Sequence, residues 1–412
     1  MPRPPYHHPA MLRIGLLGCD AKLAEVALAA SRRGDRIVAA HDVPAEILRV
    51  LGLVTETASW EPLLDAATCD AVLVGADGWN TVRAEAVRTL VQAGRPLVLS
   101  QPLELSMLWA YELDMIRRDT GSRLVPCLPD RLHPFVTRLR GRIEASLAGV
   151  DAAAESLQFE RRMTDRSKAA VLAQLSRDAD LVRAIAGDPA KLSTLGAAEA
   201  EAAWPTLAVG FTGATQLPVR WQVAPAGTPG LSIRLQSAAE SVTIEAPDES
   251  SRDWTWNGAA DGGGFDRGAA TLAALDAALG HGSPRDPEAI PTASWSDAAR
   301  AIELAETVPR SLSRGRSIDL HREEFTELGT FKGTMASLGC GLIMVALVVV
   351  IVATLVAGVA REFGWTAAGG LVDAWPIIVL LVLGLFLALQ IIPFLMGTKD
   401  GDGGPPGPAS ET

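Results

Sequence analysis

Residues 14–25 read IGLLGCDAKLAE, an apolar strand that runs through glycines into the start of a helix. The turn of a dinucleotide-binding fold has this form: its glycines let the backbone approach a pyrophosphate whose charge rests on the helix N-terminus. Gly15 and Gly18 are present. Where G-x-G-x-x-G carries its second glycine the chain has Asp20, and in place of the third it has Leu23. Asp20 brings a carboxylate to the place where phosphate oxygens would lie. Two unit charges 4 Å apart at an effective dielectric of 20 repel by about 4 kcal/mol, roughly a thousandfold in affinity. Lys22 offsets part of that charge. Asp20 has a second role open to it, as the cap of a helix beginning at Ala21.

The pattern continues outward from this turn. Short apolar runs at 12–18, 36–41, 70–76, 96–100 and 123–127 read as buried strands, with amphipathic helices such as 81–94 between them. Strand–helix alternation predicts a Rossmann-type, doubly wound parallel sheet over residues 11–130. Asp42, after the second strand, stands near the offset at which an acid holds the ribose 2′-hydroxyl of NAD. An ordinary turn aspartate fits the same place. From about Asp151 the character changes. Strand-like segments at 155–162, 218–225, 231–237 and 241–247, with a helix at 168–187 and another at 296–311, predict an α+β domain with an open antiparallel sheet over 131–320.

In this order the motifs resemble those of the glucose-fructose oxidoreductase / inositol dehydrogenase (Gfo/Idh/MocA) family. The likeness rests on CDAVLVGADGWNTVRAEAVRTLVQAGRPLVLSQPLELS (69–106), on DRLHP (130–134), on DADLVRAIAGDP (178–189) and on SDAARAIELAETVPRSLSRGRSIDL (296–320). It covers roughly Met11 to Leu320, and it implies NAD or NADP as cofactor and hydride transfer on a sugar or polyol. The family's reacting groups are a Lys in Glu-Lys-Pro, and an Asp and a His four residues apart. Those positions here hold Gln101, Ala173 and Arg177. An amide, a methyl and a permanently protonated guanidinium cannot take a hydroxyl proton. Together with Asp20, these substitutions point to a site that has lost the parent reaction. Arg177 and Gln101 would leave a polar, cationic cleft suited to an anionic ligand. Asp130, Arg131 and His133 read as shaping the domain junction, and Trp254 and Trp256 as packing.

A formal net charge of -11 and the absence of a basic run argue against a nucleic-acid partner. The four cysteines are scattered, without C-x-x-C pairs, so neither a metal site nor a disulfide framework is expected. The start, MPRPPYHHPAMLR, is too polar and proline-rich for a secretory signal, and residues 1–10 read as a flexible extension before Met11. After a linker at 321–334, two uncharged stretches at 335–360 and 374–397 each reach the length of about 20 apolar residues that a spanning helix needs. Arg310, Arg314, Arg316, Arg322 and Lys332 precede the first stretch, which predicts a two-pass inner-membrane protein with both termini and the soluble body in the cytoplasm. Neither span holds an ionisable residue, so the hairpin reads as an anchor rather than a transport path. The 398–412 tail reads as disordered.

Three readings of function follow. The first is a membrane-anchored, catalytically degenerate Gfo/Idh/MocA-like protein that binds a nucleotide or small ligand, or acts as a scaffold. The second is an active NAD(P)-dependent oxidoreductase with unorthodox catalytic groups. The third is a subunit or assembly partner of a membrane complex; a homo-oligomer is compatible with each.

Overall fold

The structure, a computed structural model, describes residues 11–52, 56–196, 204–213, 215–225, 227–248, 253–260, 264–281 and 290–320, together with Val352, Leu355, Val359 and Glu362. The expected extension at 1–10, the linker, both apolar stretches save those isolated positions, and the 398–412 tail lie outside the described residues. Two compact units divide the chain, 1–322 and 323–412. In the second, Val352, Leu355, Val359 and Glu362 are helical and exposed. Among the described residues no helix is long and apolar enough to cross a membrane.

The first sheet takes β1 (Arg13–Leu17), β2 (Arg36–His41), β3 (Ala71–Val74), β4 (Leu97–Ser100) and β5 (Leu124–Cys127) in the order β2-β1-β3-β4-β5, every pair parallel. All residues of β3, β4 and β5 are buried, as strands covered on both faces must be. The covering helices are α1 (Ala21–Arg33), α2 (Ala45–Val50), α3 (Thr81–Gln92) and α4 (Met107–Thr120). Local chemistry sets their ends. Asp20, Asn80 and Ser106 cap the N-termini of α1, α3 and α4, and Gly34, at φ 101°, closes α1 in the left-handed conformation that glycine adopts without cost.

After α5 (Pro134–Leu147) a second sheet forms from β6 (Ala154–Met163), β7 (Pro189–Leu195), β8 (Ala208–Gly213), β9 (Val219–Pro225), β10 (Gly230–Ser237), β11 (Ser241–Pro247), β12 (Thr255–Trp256) and β13 (Ile318–Asp319). Its order is β12-β11-β10-β6-β9-β8-β7-β13. The expected antiparallel sheet is in fact mixed, because β6 and β9 pair in parallel at its centre. Between them the chain runs through α6 (Lys168–Ala186), β7 and β8, a crossover long enough to bring it back in the same direction. Leu157, Phe159, Trp221, Ile233 and Ile244 point inward from alternate positions, whereas Glu160, Arg162, Gln222 and Glu245 form ion pairs and hydrogen bonds on the other face.

Two late helices return to the first sheet. In α7 (Arg267–Leu279), Leu272 and Leu275 join the core beneath α1. A Cβ on Gly268 would lie 2.5 Å from the Glu25 carbonyl, so only glycine lets the two helices approach this closely. In α8 (Trp295–Arg314) one stretch, Trp295, Ala298 and Ile302, joins the core of the parallel sheet, and the next, Leu304, Ala305 and Val308, joins that of the mixed sheet.

A buried ion pair stands at the centre of the second core. Arg161 Nε donates to Asp178 Oδ2 at 2.8 Å and Arg161 Nη2 to Oδ1 at 2.5 Å, while Trp221 Nε1 donates to Oδ2 at 2.8 Å. Arg161 also pairs with the half-exposed Asp248 at 2.7 Å, but without Asp178 its buried Nε and Nη2 lose their acceptors, and breaking a buried pair costs about 3–5 kcal/mol. Asp178→Ala is therefore expected to lower the unfolding free energy by about that amount in urea titrations followed by tryptophan fluorescence. A loss below about 1 kcal/mol would contradict the structural role given to the pair.

Candidate functional site

The C-terminal ends of β1, β3 and β4 meet at Asp20, which is 8% exposed. Its Oδ1 accepts from the backbone N–H of Lys22 at 3.0 Å and of Leu23 at 3.1 Å. Its Oδ2 accepts from Ala76 N at 2.9 Å and from the Ser100 hydroxyl. The first-turn amides of α1, which hold an oxyanion in a dinucleotide site, here hold the chain's own carboxylate.

The other residues expected at the turn have separate tasks. Gly15 lies within β1, and the Leu63 side chain fills the space that its Cβ would need. Gly18, at φ 66°, sits beneath the Arg83 guanidinium, whose Nη1 would be 2.5 Å from a Cβ placed there. Arg83 Nη1 donates to the carbonyls of Gly75, at 3.0 Å, and Asp77, at 2.5 Å, and Nη2 pairs with Asp42. Asp42 adopts φ 55° just beyond β2. Its carboxylate is thus engaged by an arginine of the same chain.

Arg83 was missed in the sequence, although a signal was there. On α3 it shares the buried stripe with Ala86, Val87, Leu90 and Val91, a helical spacing at which an arginine is out of place unless its charge is used.

Gln101 follows β4 and is joined to Pro102 by a cis peptide bond. It is buried, and its amide nitrogen donates to the Ala298 carbonyl of α8 at 3.2 Å, away from the cleft. Its backbone carbonyl accepts from Arg177 Nε of α6 at 2.5 Å, so these two positions do meet, through the main chain. Ala173, half-buried one turn earlier on α6, offers no polar atom. The cleft beside Arg177 is completed by Lys22, Asp130, Arg131 and Arg267, and neither Gln101 nor Ala173 lines it. The cleft expected from Arg177 and Gln101 is lined instead by Arg177 and Lys22, the Gln101 amide being bound to the Ala298 carbonyl.

Asp130 pairs with Arg267 at 2.6 Å and Arg131 with Asp180 at 2.9 Å, which ties the segment after β5 to α7 and α6. Burial opposes ionisation of Asp130, but the charges of Arg267 and Lys22 together hold its carboxyl below the usual carboxylate range. Burial pushes the Cys19 thiol up to about 12 and that of Cys127 to about 11, so neither supplies a thiolate at neutral pH. Among the described residues no group of three or more His, Cys, Asp or Glu is placed to hold a metal ion.

No protein-family model matches the chain, and no curated protein matches it. Solved structures do. GenD2 from gentamicin A biosynthesis, in complex with NAD, is 18% identical over 78% of this chain and 100% of its own, with a TM-score of 0.58. A myo-inositol dehydrogenase from Corynebacterium glutamicum is 15% identical over 76% of this chain and 99% of its own, at 0.56. An oxidoreductase from Agrobacterium radiobacter, in complex with NAD+, L-tartaric acid and magnesium, is 14% identical over 75% of this chain and 98% of its own, at 0.55. At these identities the likeness is one of fold. The chain has the fold of the Gfo/Idh/MocA-type dehydrogenases, a nucleotide-binding-type parallel sheet joined to a mixed sheet.

His133 gives the junction a measurable property. It stacks on Trp254 at 4.1 Å between ring centroids, and its Nδ1 accepts from Phe135 N at 3.1 Å to cap α5. Burial lowers its pKa from 6.5 to about 4. The unfolded chain takes up this proton at higher pH than the folded one, so the group's contribution is full above 6.5 and is lost as pH falls toward 4, by about 3 kcal/mol in all. The Cε1–H resonance of His133 is expected to titrate near 4; a midpoint above 6 would contradict this packing.

Proposed function

We propose that the chain is a membrane-anchored member of the Gfo/Idh/MocA fold group that no longer performs hydride transfer and serves as a ligand-binding or scaffold protein. One observation carries this reading. The Asp20 carboxylate, held by four donors, occupies the amides that would receive a pyrophosphate. Arg83 covers Gly18 and engages Asp42, so the two remaining fingerprint positions are also taken. A dinucleotide does not fit this arrangement. Its pyrophosphate would meet a carboxylate whose repulsion is worth about 4 kcal/mol at 4 Å. The positions of the family's reacting groups agree: Gln101 is bound to α8, Ala173 has no proton to exchange, and Arg177 holds a main-chain carbonyl.

Anchoring is supported by the length and uncharged character of 335–360 and 374–397, and by the basic residues ahead of them. Val352, Leu355 and Val359, all helical and exposed, fall at the spacing of one helix face.

The test is a fluorescence titration of the full chain, purified in detergent, with NADH and NADPH. Neither is expected to bind below about 1 mM, and Asp20→Gly combined with Arg83→Ala is expected to bring NADH binding into the measurable range, the gain being at most about a thousandfold. Micromolar binding by the parent chain would refute the proposal. Anchoring is checked separately: the chain is expected to stay in the membrane pellet after alkaline carbonate washing, and its release into the wash would refute an integral hairpin.

A further inference from the structure

The cleft between α1, α6, α7 and the segment after β5 carries an imbalance of paired charge. Three carboxylates stand in its wall and each has an arginine: Asp130 with Arg267 at 2.6 Å, Asp178 with Arg161 at 2.5 Å, and Asp180 with Arg131 at 2.9 Å. The fourth acid of the wall, Glu25, acts on Arg267. Two cations of the wall, Lys22 and Arg177, have no carboxylate in hydrogen-bond contact among the described residues, because Asp178 is taken by Arg161 and Arg267 is shared by Asp130 and Glu25. Arg177 spends its hydrogen bonds on neutral oxygens, the Gln101 carbonyl at 2.5 Å and Gln174 Oε1 at 3.2 Å. Lys22 is half-buried on the first turn of α1; its backbone N–H is held by Asp20, and its ammonium makes no hydrogen bond or ion pair among the described residues, Asp130 acting on it only at longer range.

A third observation points the same way. Arg131 is 6% exposed and lines this cleft, and its Nε is buried without an acceptor among the described residues. Two cations facing one cleft repel each other, and a buried guanidinium N–H without a partner adds a desolvation cost. Burial chiefly, and then the charge of Arg177, lower the Lys22 pKa, with Asp130 acting in the opposite direction. A stable fold tolerates this arrangement at a site where an anion relieves it. The enclosed part of the cleft is about 20 Å³.

We propose that Lys22 and Arg177 bind a small oxyanion in this cleft, the carboxylate or phosphate head group of a ligand whose remainder lies outside it. This rests on reading the chain as a ligand-binding protein rather than a hydride-transfer enzyme. The guanidinium offers a planar fork to the oxyanion, and the ammonium a point charge.

The experiment is isothermal titration of the full chain in detergent with inorganic phosphate in one arm and malonate in the other, at fixed ionic strength. Binding in either arm is expected, with the responding arm naming the head group. Lys22→Ala and Arg177→Ala should each weaken it by about tenfold or more, and Arg177→Lys by less, because a charge-assisted hydrogen bond is lost in the first two and one survives in the third. Lys22→Glu supplies a control that does not depend on titration. It should abolish anion binding and raise the Tm in anion-free buffer, since the glutamate would pair with Arg177. Silence in both arms to about 10 mM, some 2.7 kcal/mol of binding, would overturn the proposal. So would binding that none of these variants changes, which would mark an adventitious ion only. Nucleotide titration separates the two readings: NADH binding with intact anion binding defeats the degenerate-enzyme reading alone, while silence toward both defeats only the anion site.

Discussion

The Asp20 carboxylate is the constraint around which the C-terminal edge of the parallel sheet is organised. A helix N-terminus presents unpaired amides and a positive dipole end, and something anionic must meet them. Here a side chain does so from within, and its second oxygen reaches Ala76 beyond β3 and Ser100 at the end of β4. One carboxylate therefore joins three strand ends. The crowding around it follows: a Cβ on Gly75 would lie 2.5 Å from the Cys19 backbone, so the neighbouring turns already touch. The amides at this helix N-terminus are satisfied from within the chain.

The same economy appears at the junction of the two sheets. Asp180, Arg131, Asp297 and Arg183 form a chain of ion pairs between α6, α8 and the segment after β5, and Asp130 with Arg267 ties that segment to α7. Buried ion pairs stabilise little in net terms but penalise any arrangement that separates them. Their value lies in fixing the position of α6 against the first sheet, which brings Arg177 to the same cleft as Lys22. The charges left over at that cleft stand out because every neighbouring acid is already matched.

Much of the fold was legible in the chain. The strand–helix alternation up to Cys127 and the inward alternation of β9, β10 and β11 follow from burial periodicity, which acts locally. β7 and β8 were not legible. PAKLSTL and AVGFTG carry few apolar residues in alternation, and they are strands because the sheet edge offers them partners. The parallel pairing of β6 with β9 was hidden for a related reason, since strand direction is set by the path of the intervening chain and not by the strand's own residues. Of the site, the substitutions at 20, 101, 173 and 177 could be read directly. Arg83 was hidden because its charge is used by carbonyls distant from any motif.

By itself, then, the sequence determined which side chains stand at the turn and at positions 101, 173 and 177. That follows from residue identity alone, because an amide, a methyl and a guanidinium keep their properties in any fold. Only the tertiary structure decided what those side chains do instead. It turned Gln101 into α8, set Arg83 over Gly18, and brought Lys22 to the same cleft as Arg177, from 155 positions away in the chain. The reason is physical: pairing of charges and filling of space are properties of neighbours, and neighbours across a junction are chosen by packing rather than by sequence order.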